Sequence, residues 1–265
     1  MKEKFKTLLW FGVRPKFWAH AFSLASRFFK SNNDSPDIRA SATAWAAGQV
    51  RPMAEIFVGL GLVERPDVQL PRINKRLLAD GAERVRRSGI NIDGSLGGAG
   101  DLELLYALVI LSRATKVLET GVAYGWSSLV ILAAQDLTLK SNSMLVSIDM
   151  PYVKARAEGL VGVVVPKQYR DSWILVRQPD RPGILKGLEL IGGSLDLVHY
   201  DSDKSWHGRS YAYPILWNSL RPGGLFVSDD IQDNFFFRDF VEMLGLPFFV
   251  SESDGKFVGI IRKPS

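Results

Sequence analysis

The 265-residue chain contains no cysteine, and this absence excludes a disulfide scaffold, a thiol nucleophile and a thiolate metal site. Histidine is also scarce, with only three residues, so a zinc site built from several histidines is not expected. No uninterrupted apolar run approaches the roughly 20 residues that span a bilayer. The chain is 46% hydrophobic and 23% charged, which is the composition of an ordinary globular protein with one full-size domain.

Positive charge is concentrated near the N-terminus. Residues 1–30 contain seven lysine and arginine residues against the single acid Glu3, a net charge of +6, whereas the whole chain carries +5. Residues 31–265 therefore sum to −1. A basic groove across the main body, as a nucleic-acid enzyme needs, is not expected, and we predict no nucleic-acid partner.

The same N-terminal segment has the spacing of an amphipathic helix. From Lys16 to Lys30 the apolar residues fall in pairs, among them Phe17 with Trp18 and Phe28 with Phe29, and polar or cationic residues fill the gaps. This pattern predicts a helix that lies on an anionic membrane surface or one that packs on the body or on a second subunit. Packing is the commoner role of such helices, and both interpretations stay open.

The sequence divides into two parts. Residues 1–95 are predicted to form a helical extension, with one or two helices over residues 38–63 and an amphipathic helix over residues 71–87. Residues 94–100 are rich in glycine and are expected to connect the parts. The main domain is predicted over residues 96–265, and Asp101 is expected to cap a helix that runs to about Arg113.

From residue 116 onward, short apolar strands alternate with helices, which indicates an α/β fold with a parallel sheet. The expected strands are Lys116–Thr120, Leu145–Asp149, Trp173–Arg177, Leu195–Asp201, Gly224–Ser228 and a final hairpin of Phe248–Ser251 with Lys256–Arg262. We therefore predict a Rossmann-like, doubly wound, mostly parallel seven-stranded sheet that ends in an antiparallel hairpin, with the N-terminal helical extension beside it.

A glycine-rich turn follows the first predicted strand. Residues Glu119 to Ser127 have the spacing E-x-G-x-x-x-G, which is neither the G-x-G-x-x-G of pyrophosphate-binding folds nor a Walker loop. Gly121 and Gly125 allow a ligand to approach the backbone, and the helix start offers unpaired N–H groups to a carboxylate. Asp149, at the end of the second strand, can accept both hydroxyls of a ribose. A ligand with a ribose, an adenine and an amino acid satisfies all three features, so we expect S-adenosylmethionine.

Acidic residues follow two further strands. Asp201 ends the fourth predicted strand, and Asp229 and Asp230 end the fifth. Neighbouring parallel strands place these carboxylates on one rim, and oxygen ligands without cysteine or histidine suit Mg²⁺, Mn²⁺ or Ca²⁺. The alternative is that acids at strand ends merely cap helices or turns. We favour a divalent cation because three acids share the rim where the cofactor is expected.

Four sequence blocks together resemble a known family. They are Glu119–Ser127, His199–Trp206, Leu220–Gly224 and Ser228–Ile231. Their order and spacing resemble class I S-adenosylmethionine-dependent methyltransferases, and within them the metal-dependent O-methyltransferases of the catechol and macrocin type. The resemblance covers residues 101–262.

The resemblance implies which residues bind the cofactor. Glu119, Gly121 and Ser127 would hold its methionine part, and Asp149 would hold the ribose. The full set of expected cofactor-binding residues is Glu119, Gly121, Ala123, Tyr124, Gly125, Ser127, Asp149 and Asp201.

The resemblance also implies the chemistry of the rim. Asp201, Asp229 and Asp230 would bind the divalent cation, with Mg²⁺ as the expected ion. Lys204 would be the general base, and His207 is the second candidate for that role. The alternative for Lys204 is a cation that is paired with Asp201 or Asp203, and the two interpretations are compatible. Two positions depart from the pattern, because Asp230 replaces the asparagine usual in catechol-type enzymes and Lys204 replaces a histidine frequent in the macrocin-like group.

The expected activity is therefore divalent-metal-dependent O-methylation of a hydroxyl on a sugar, glycan, polyketide or phenolic small molecule. The alternatives are O- or N-methylation without a metal and a non-catalytic scaffold that docks through its N-terminal helix. We expect a cytoplasmic enzyme. Peripheral membrane contact through residues 1–30 and assembly into a homo-oligomer are two further options.

Overall fold

A computed structural model describes residues 12–18, 21–22, 33–89, 100–139, 143–151 and 158–265 of the chain. The strands are β1 (Lys116–Thr120), β2 (Met144–Ile148), β3 (Trp173–Val176), β4 (Leu195–Tyr200), β5 (Leu220–Ser228), β6 (Phe248–Ser253) and β7 (Lys256–Arg262). The described α-helices are α1 (Pro36–Gln49), α2 (Met53–Gly59), α3 (Lys75–Arg87), α4 (Leu102–Ser112), α5 (Trp126–Leu139), α6 (Asp180–Ile191), α7 (Trp206–Ser219) and α8 (Phe236–Leu244). Short 3₁₀ helices are formed by Pro15–Phe17, Lys167–Ser172 and Ile231–Asp233.

The strands form one seven-stranded sheet in the order β3-β2-β1-β4-β5-β7-β6. The first five strands in this order are parallel, and β7 lies antiparallel between β5 and β6. This arrangement confirms the predicted Rossmann-like sheet with its antiparallel C-terminal hairpin. The direction of winding reverses between β1 and β4, and ligands of open α/β sheets bind outside the carboxyl ends of strands at such a point.

Successive residues of β1 face opposite sides of the sheet. Val117 belongs to a buried cluster with Leu105 of α4 and Leu129 of α5. The next residue, Leu118, belongs to a second cluster with Ile184 of α6. Helices therefore cover both faces of the sheet, and this burial explains why the parallel strands are apolar almost without interruption.

The N-terminal part is attached to the sheet edge and to the loops after β5. Val50 forms a parallel bridge with Val250 of β6, and the Arg51 N–H donates to the Val250 carbonyl at 2.9 Å. Helix α1 packs on the 3₁₀ helix after β5, where Arg39 and Asp233 form a 3.0 Å ion pair. The predicted division of the chain at residue 95 is not tested by these contacts and stays a prediction.

Helix boundaries follow local capping. Asp101 caps α4, as predicted, because its Oδ1 accepts the Leu104 N–H at 3.0 Å. Helix α3 begins four residues later than the predicted start at residue 71, because the side chain of Asn74 accepts the Arg76 N–H at 2.9 Å.

The helix predicted over residues 16–30 lies mostly outside the described residues. Within them, residues 15–17 form a 3₁₀ turn, and Trp18, Ala21 and Phe22 are helical. Among the residues that the structure describes, no helix combines the length and the apolarity required to cross a membrane.

Candidate active site

A tight turn connects β1 to α5. Gly121, Ala123 and Gly125 have φ angles of +81°, +50° and +90°, in the left-handed region that glycine adopts readily. A Cβ atom at Gly121 would lie 2.3 Å from the backbone oxygen of Asp201, at the end of β4. Glycine thus allows the turn after β1 to touch the end of β4, so the predicted cofactor turn and the predicted acidic rim are in direct contact.

Asp149 follows β2 and lies against this turn. Its Oδ2 accepts the Ala123 N–H at 3.1 Å, and Arg177 Nη1 lies 3.5 Å from the same oxygen. Arg177 also donates to the Asp149 carbonyl at 2.9 Å and to Glu158 Oε2 at 2.6 Å. Burial raises the pKa of Asp149 to about 6, although Arg177 acts in the opposite direction. Arg177 was not predicted as a site residue, since an arginine after a strand carries no motif.

Glu119 lies at the end of β1 and is fully buried. Its carboxylate accepts hydrogen bonds from the hydroxyls of Ser128 and Ser147, the latter at 2.6 Å, and lies 3.4 Å from His199 Nδ1. Interior side chains therefore engage Glu119, and its predicted contact with the methionine part of a cofactor stays a prediction.

His199 lies between two buried carboxylates. Its Nδ1 faces Glu119, and its Nε2 lies 3.3 Å from Asp229 Oδ1. Burial alone would lower the pKa of His199, but Asp229 and Glu119 outweigh this effect and raise the pKa to about 10. The two carboxylates therefore favour the protonated ring, which would offset negative charge beneath the rim.

Lys204 is the cation of the rim itself. Its Nζ lies 2.9 Å from Asp201 Oδ1 and contacts Asp230 Oδ2. Burial opposes the charged form of Lys204, but the two carboxylates outweigh it and raise the lysine pKa. Burial likewise raises the pKa of Asp201 to about 7, whereas for Asp230 the effect of burial is outweighed by Lys204 and the pKa is lowered. In this arrangement Lys204 is a paired ammonium.

The rim carboxylates do not converge on one point that could hold a divalent ion. Asp229 Oδ1 is turned toward His199, and the ammonium of Lys204 occupies the space between Asp201 and Asp230. Among the described parts of the chain, no group of three histidine, aspartate or glutamate side chains is arranged to hold a metal. This donor arrangement does not fit a divalent cation, and the assignment of Asp201, Asp229 and Asp230 as metal ligands stays a prediction.

His207 lies in the first turn of α7, the helix after the rim, and faces a different neighbour. Its Nε2 lies 2.8 Å from Arg181 Nη2 of α6. A histidine nitrogen that accepts a hydrogen bond from a guanidinium has its basic lone pair engaged. Of the two predicted bases, Lys204 contacts the rim carboxylates, whereas His207 contacts Arg181. Both assignments as a general base stay predictions.

Arg209 and Asn234 hold the backbone of the rim, and the sequence analysis missed both. Arg209 is fully buried and donates through Nη2 to the carbonyls of Asp229 and Asp230, at 3.2 and 2.7 Å, and through Nη1 to Asn234 Oδ1 at 3.1 Å. Asn234 in turn donates to the Lys204 carbonyl at 2.9 Å. This clamp supports Asp230 in a left-handed conformation with φ +51°. The position of Arg209 on the apolar face of α7 is the sequence signal that could have identified it as a buried residue.

A small cavity lies beside the rim. Its lining includes Gly100, Ser127 at the start of α5, His199 and Asp229. Asp229 Oδ2 is buried without a hydrogen-bond partner among the described residues, and a Cβ atom at Gly100 would lie 2.1 Å from it. The cavity thus joins the helix start predicted to bind the cofactor to an acid of the rim.

These features fit the group that the sequence predicts at the turn. Asp149 combines a buried carboxylate with contact to the turn, and the buried hydroxyl of Tyr124 has no hydrogen-bond partner among the described residues. Buried polar atoms of this kind require a partner, and a polar nucleotide cofactor can provide it. The glycine turn, Asp149 and the start of α5 would hold S-adenosylmethionine.

Comparison with known proteins agrees with this geometry. Residues 118–231 match the family model described as a methyltransferase domain. The O-methyltransferase TomG from Streptomyces achromogenes, involved in tomaymycin synthesis and solved in complex with SAM, shares 18% identity, with 74% of this chain and 92% of that chain covered and a TM-score of 0.50. No curated protein matches the chain.

Two further solved structures have the same fold. The O-methyltransferase from Bacillus cereus in complex with SAH shares 14% identity, with 82% of this chain and 100% of that chain covered and a TM-score of 0.53. The SAH-bound methyltransferase PaMTH1 from Podospora anserina shares 13% identity, with 86% and 97% covered and a TM-score of 0.51. The fold is thus the Rossmann-like methyltransferase fold. Residues 118–231 match a methyltransferase domain, and the fold agrees with this match.

Proposed function

We propose that the chain is an S-adenosylmethionine-dependent O-methyltransferase that methylates a hydroxyl of a sugar, glycan, polyketide or phenolic small molecule. The observation that carries this proposal is the direct contact between Gly121 and Asp201. Because the glycine turn touches the acidic rim, a methyl donor bound at the turn would face a hydroxyl bound at the rim. The O-methyltransferases among the similar structures support the same choice of acceptor atom.

The chain's own residues perform binding and orientation. When bound, S-adenosylmethionine supplies a methyl group that its sulfonium has already activated. Asp149 accepts hydrogen bonds from the ribose hydroxyls. The carboxylate of Asp201 or Asp230 would accept the hydrogen bond of the acceptor hydroxyl and take up its proton when the methyl group is transferred and S-adenosylhomocysteine leaves. Alignment of the reacting atoms at about 3 Å accounts for much of the rate gain. The Lys204 ammonium stabilises negative charge that develops on the hydroxyl oxygen.

Two candidate mechanisms differ in whether they need a metal. The sequence predicts a requirement for a divalent cation, with Asp201, Asp229 and Asp230 as ligands. The position of Lys204 between Asp201 and Asp230 favours methyl transfer without a metal, because the ammonium already offsets the charge that a cation would offset. The two candidates share the cofactor and the acceptor atom and differ only in what neutralises the rim.

The test is methyl transfer by the full chain to a panel of methyl glycosides, catechols and simple phenols, measured as formation of S-adenosylhomocysteine. Activity that requires Mg²⁺, and that EDTA and Asp229→Ala both abolish, supports the metal-dependent enzyme. Activity that survives both treatments supports methyl transfer without a metal. A product methylated on nitrogen contradicts O-methylation, and no binding of S-adenosylmethionine by calorimetry favours a non-catalytic scaffold.

Two variants separate cofactor binding from turnover. Asp149→Ala is expected to weaken binding of S-adenosylhomocysteine, whereas Asp201→Ala is expected to abolish turnover with binding largely intact. The exposed Asp136 on α5 provides the control, because Asp136→Ala removes a carboxylate far from both roles. Equal loss of binding and turnover in the first two variants would contradict the assigned division of labour.

A further inference from the structure

Helix α3 reaches the cofactor region from the N-terminal part of the chain. Its Gly81 packs on the indole of Trp126, the first residue of α5, and a Cβ atom at Gly81 would lie 2.8 Å from that ring. One turn further along α3, Arg84 Nε donates to the Val164 carbonyl at 2.8 Å. The helix therefore touches both the start of α5 and the loop of residues 160–165.

The loop of residues 160–165 is bonded to the backbone of the glycine turn. The Gly162 N–H donates to the Ala123 carbonyl at 2.9 Å, and the Val164 N–H donates to the Tyr124 carbonyl at 3.1 Å. Val164 thus uses its N–H toward the turn and its carbonyl toward α3. A continuous path of hydrogen bonds connects the helix, the loop and the turn.

The glycine turn needs this support because part of it is strained. Ala123 has a φ of +50°, a left-handed conformation that is unfavourable for a residue with a Cβ atom. Such conformations persist where neighbouring groups hold them. The Ala123 N–H donates to Asp149, and the Ala123 carbonyl accepts the Gly162 N–H. The loop therefore supplies one of the two hydrogen bonds that fix Ala123.

The guanidinium of Arg84 is directed inward, toward the loop. Its Nη2 atom is buried and has no hydrogen-bond partner among the described residues. Burial of a charged donor is unfavourable, so the bond from Nε to Val164 must repay part of that cost. The nearby Arg86 and Arg87 instead pair with Glu83 on the exposed side of α3. Arg84 thus differs from the other arginines at this end of the helix.

We propose that Arg84 is a positioning residue for the cofactor site. Through Val164 it holds the 160–165 loop against the glycine turn, so that the turn is ordered before the cofactor arrives. A site that is ordered in advance loses less conformational entropy on binding. This inference rests on the proposed function, since it assumes that S-adenosylmethionine binds at the turn. It adds helix α3, which precedes the matched residues 118–231, to the elements required for tight binding.

Two substitutions of similar size isolate the hydrogen bond. Arg84→Met removes the donor, whereas Arg84→Gln keeps an N–H donor, because the glutamine Nε2 is bonded to Cδ as the arginine Nε is. Calorimetry with S-adenosylhomocysteine should show about tenfold weaker binding for Arg84→Met, the effect of one hydrogen bond from a charged donor. Arg84→Gln should recover most of the affinity. Arg86→Met is the matched control on the exposed side of α3 and should bind as wild type does.

Hydrogen exchange of the full chain without cofactor tests the positioning separately. In Arg84→Met, exchange should accelerate in the peptides that contain Gly162 and Val164, because the loop is no longer held from the side of α3. Peptides of β6 and β7 should keep their wild-type rates. Acceleration throughout the chain would overturn the proposal, since Arg84 would then stabilise the fold as a whole and not the turn.

The binding data can overturn the proposal in three ways. Wild-type affinity in Arg84→Met, or equal losses in Arg84→Met and Arg84→Gln, would show that the bond to Val164 does not position the turn. An equal loss in Arg86→Met would show that any lost arginine on α3 has the same effect. No binding of S-adenosylhomocysteine by the wild type overturns the proposed function as well, whereas wild-type binding with unchanged Arg84→Met affinity overturns the role of Arg84 alone.

Discussion

Lys204 Nζ lies 2.9 Å from Asp201 Oδ1, at the place where a cation shared by the rim carboxylates would be needed. The same ammonium contacts Asp230. The protein therefore carries the positive charge of its acidic rim on its own chain. The electrostatic state of the rim depends on this lysine, whichever nucleophile binds there.

Removal of the Lys204 ammonium should destabilise the fold. For Lys204→Met we expect the free energy of unfolding to fall by about 2 kcal/mol, because Asp201 and Asp230 lose their counter-charge while partly buried. Lys204→Arg should retain most of the stability. Lys186→Met is the matched control, since Lys186 pairs with Glu189 at the same 2.9 Å but on the surface. Urea denaturation measures all three variants.

The same variants test whether the rim can accept a metal. In Lys204→Met, Mn²⁺ should raise the melting temperature if Asp201 and Asp230 can share a cation. An unchanged melting temperature in both the variant and the wild type would contradict the metal-ligand assignment.

Cofactor affinity should depend on pH through Asp149. Its pKa is raised to about 6, so the carboxylate that we propose as the acceptor of hydrogen bonds from the ribose hydroxyls is protonated as the pH falls through that value. Binding of S-adenosylhomocysteine, measured by calorimetry, should therefore weaken below about pH 6 and be constant above about pH 7. Arg177→Gln removes the charge that lowers this pKa, and the midpoint should move upward. Arg177→Lys keeps the charge and should leave the midpoint near its original position.

The contact between the glycine turn and Asp201 predicts that a side chain at Gly121 is not tolerated. Gly121→Ala should cost about 3 kcal/mol of folding free energy and abolish cofactor binding, because its Cβ would lie 2.3 Å from the Asp201 carbonyl oxygen. Gly255→Ala is the control. Gly255 has a similar φ of +76° but open space around it, so only the backbone strain of about 1 kcal/mol remains. Similar losses in both variants would show that the contact is unimportant.

Replacement of Arg209 should make the backbone around Asp229 and Asp230 more mobile while the β-sheet stays folded. In Arg209→Met, hydrogen exchange measured by mass spectrometry should accelerate in the peptides that contain Asp229 and Asp230, since their carbonyls lose a donor. Arg262→Met is the control, because Arg262 also donates to backbone carbonyls, those of Leu60 and Gly223, on the far side of the domain. It should accelerate exchange there and leave the rim peptides unchanged.

Much of the fold was predictable because the chemistry that encodes it is local. Strands β1 and β7 have the predicted bounds, since apolar runs between turn residues are sufficient to define them. Strand β5 was predicted to begin at Gly224 but begins at Leu220. The residues Arg221, Pro222 and Gly223 predict a turn by themselves. In the folded chain Leu220 pairs with Leu195, and the Gly223 N–H donates to the Lys263 carbonyl, so neighbouring strands convert the turn into an irregular strand start.

The site was predictable in its location and less so in its internal contacts. The sequence places Asp149 beside the glycine turn, and the structure brings the two into contact. The pairing of Lys204 with Asp201, three residues away, is one of the two roles that the sequence suggests for this lysine. The engagement of Glu119 by serine hydroxyls, and the pairing of Lys204 with Asp230, depend on rotamers and on neighbours distant in sequence. A linear motif contains no information on either, which is also why Arg209 was missed.

Strand β7 lies between β5 and β6 in the sheet although it is the last of the seven strands in sequence. Its Phe257 N–H donates to Gln232 Oε1, and Gln232 Nε2 donates to Asp230 Oδ1. A nascent chain that has not yet released residues 256–262 from the ribosome thus exposes the unpaired edge of β5 and lacks one support of its acidic rim. Completion of the acidic rim must therefore wait until β7 has been synthesised, and a chain that lacks β7 presents a strand edge open to aggregation.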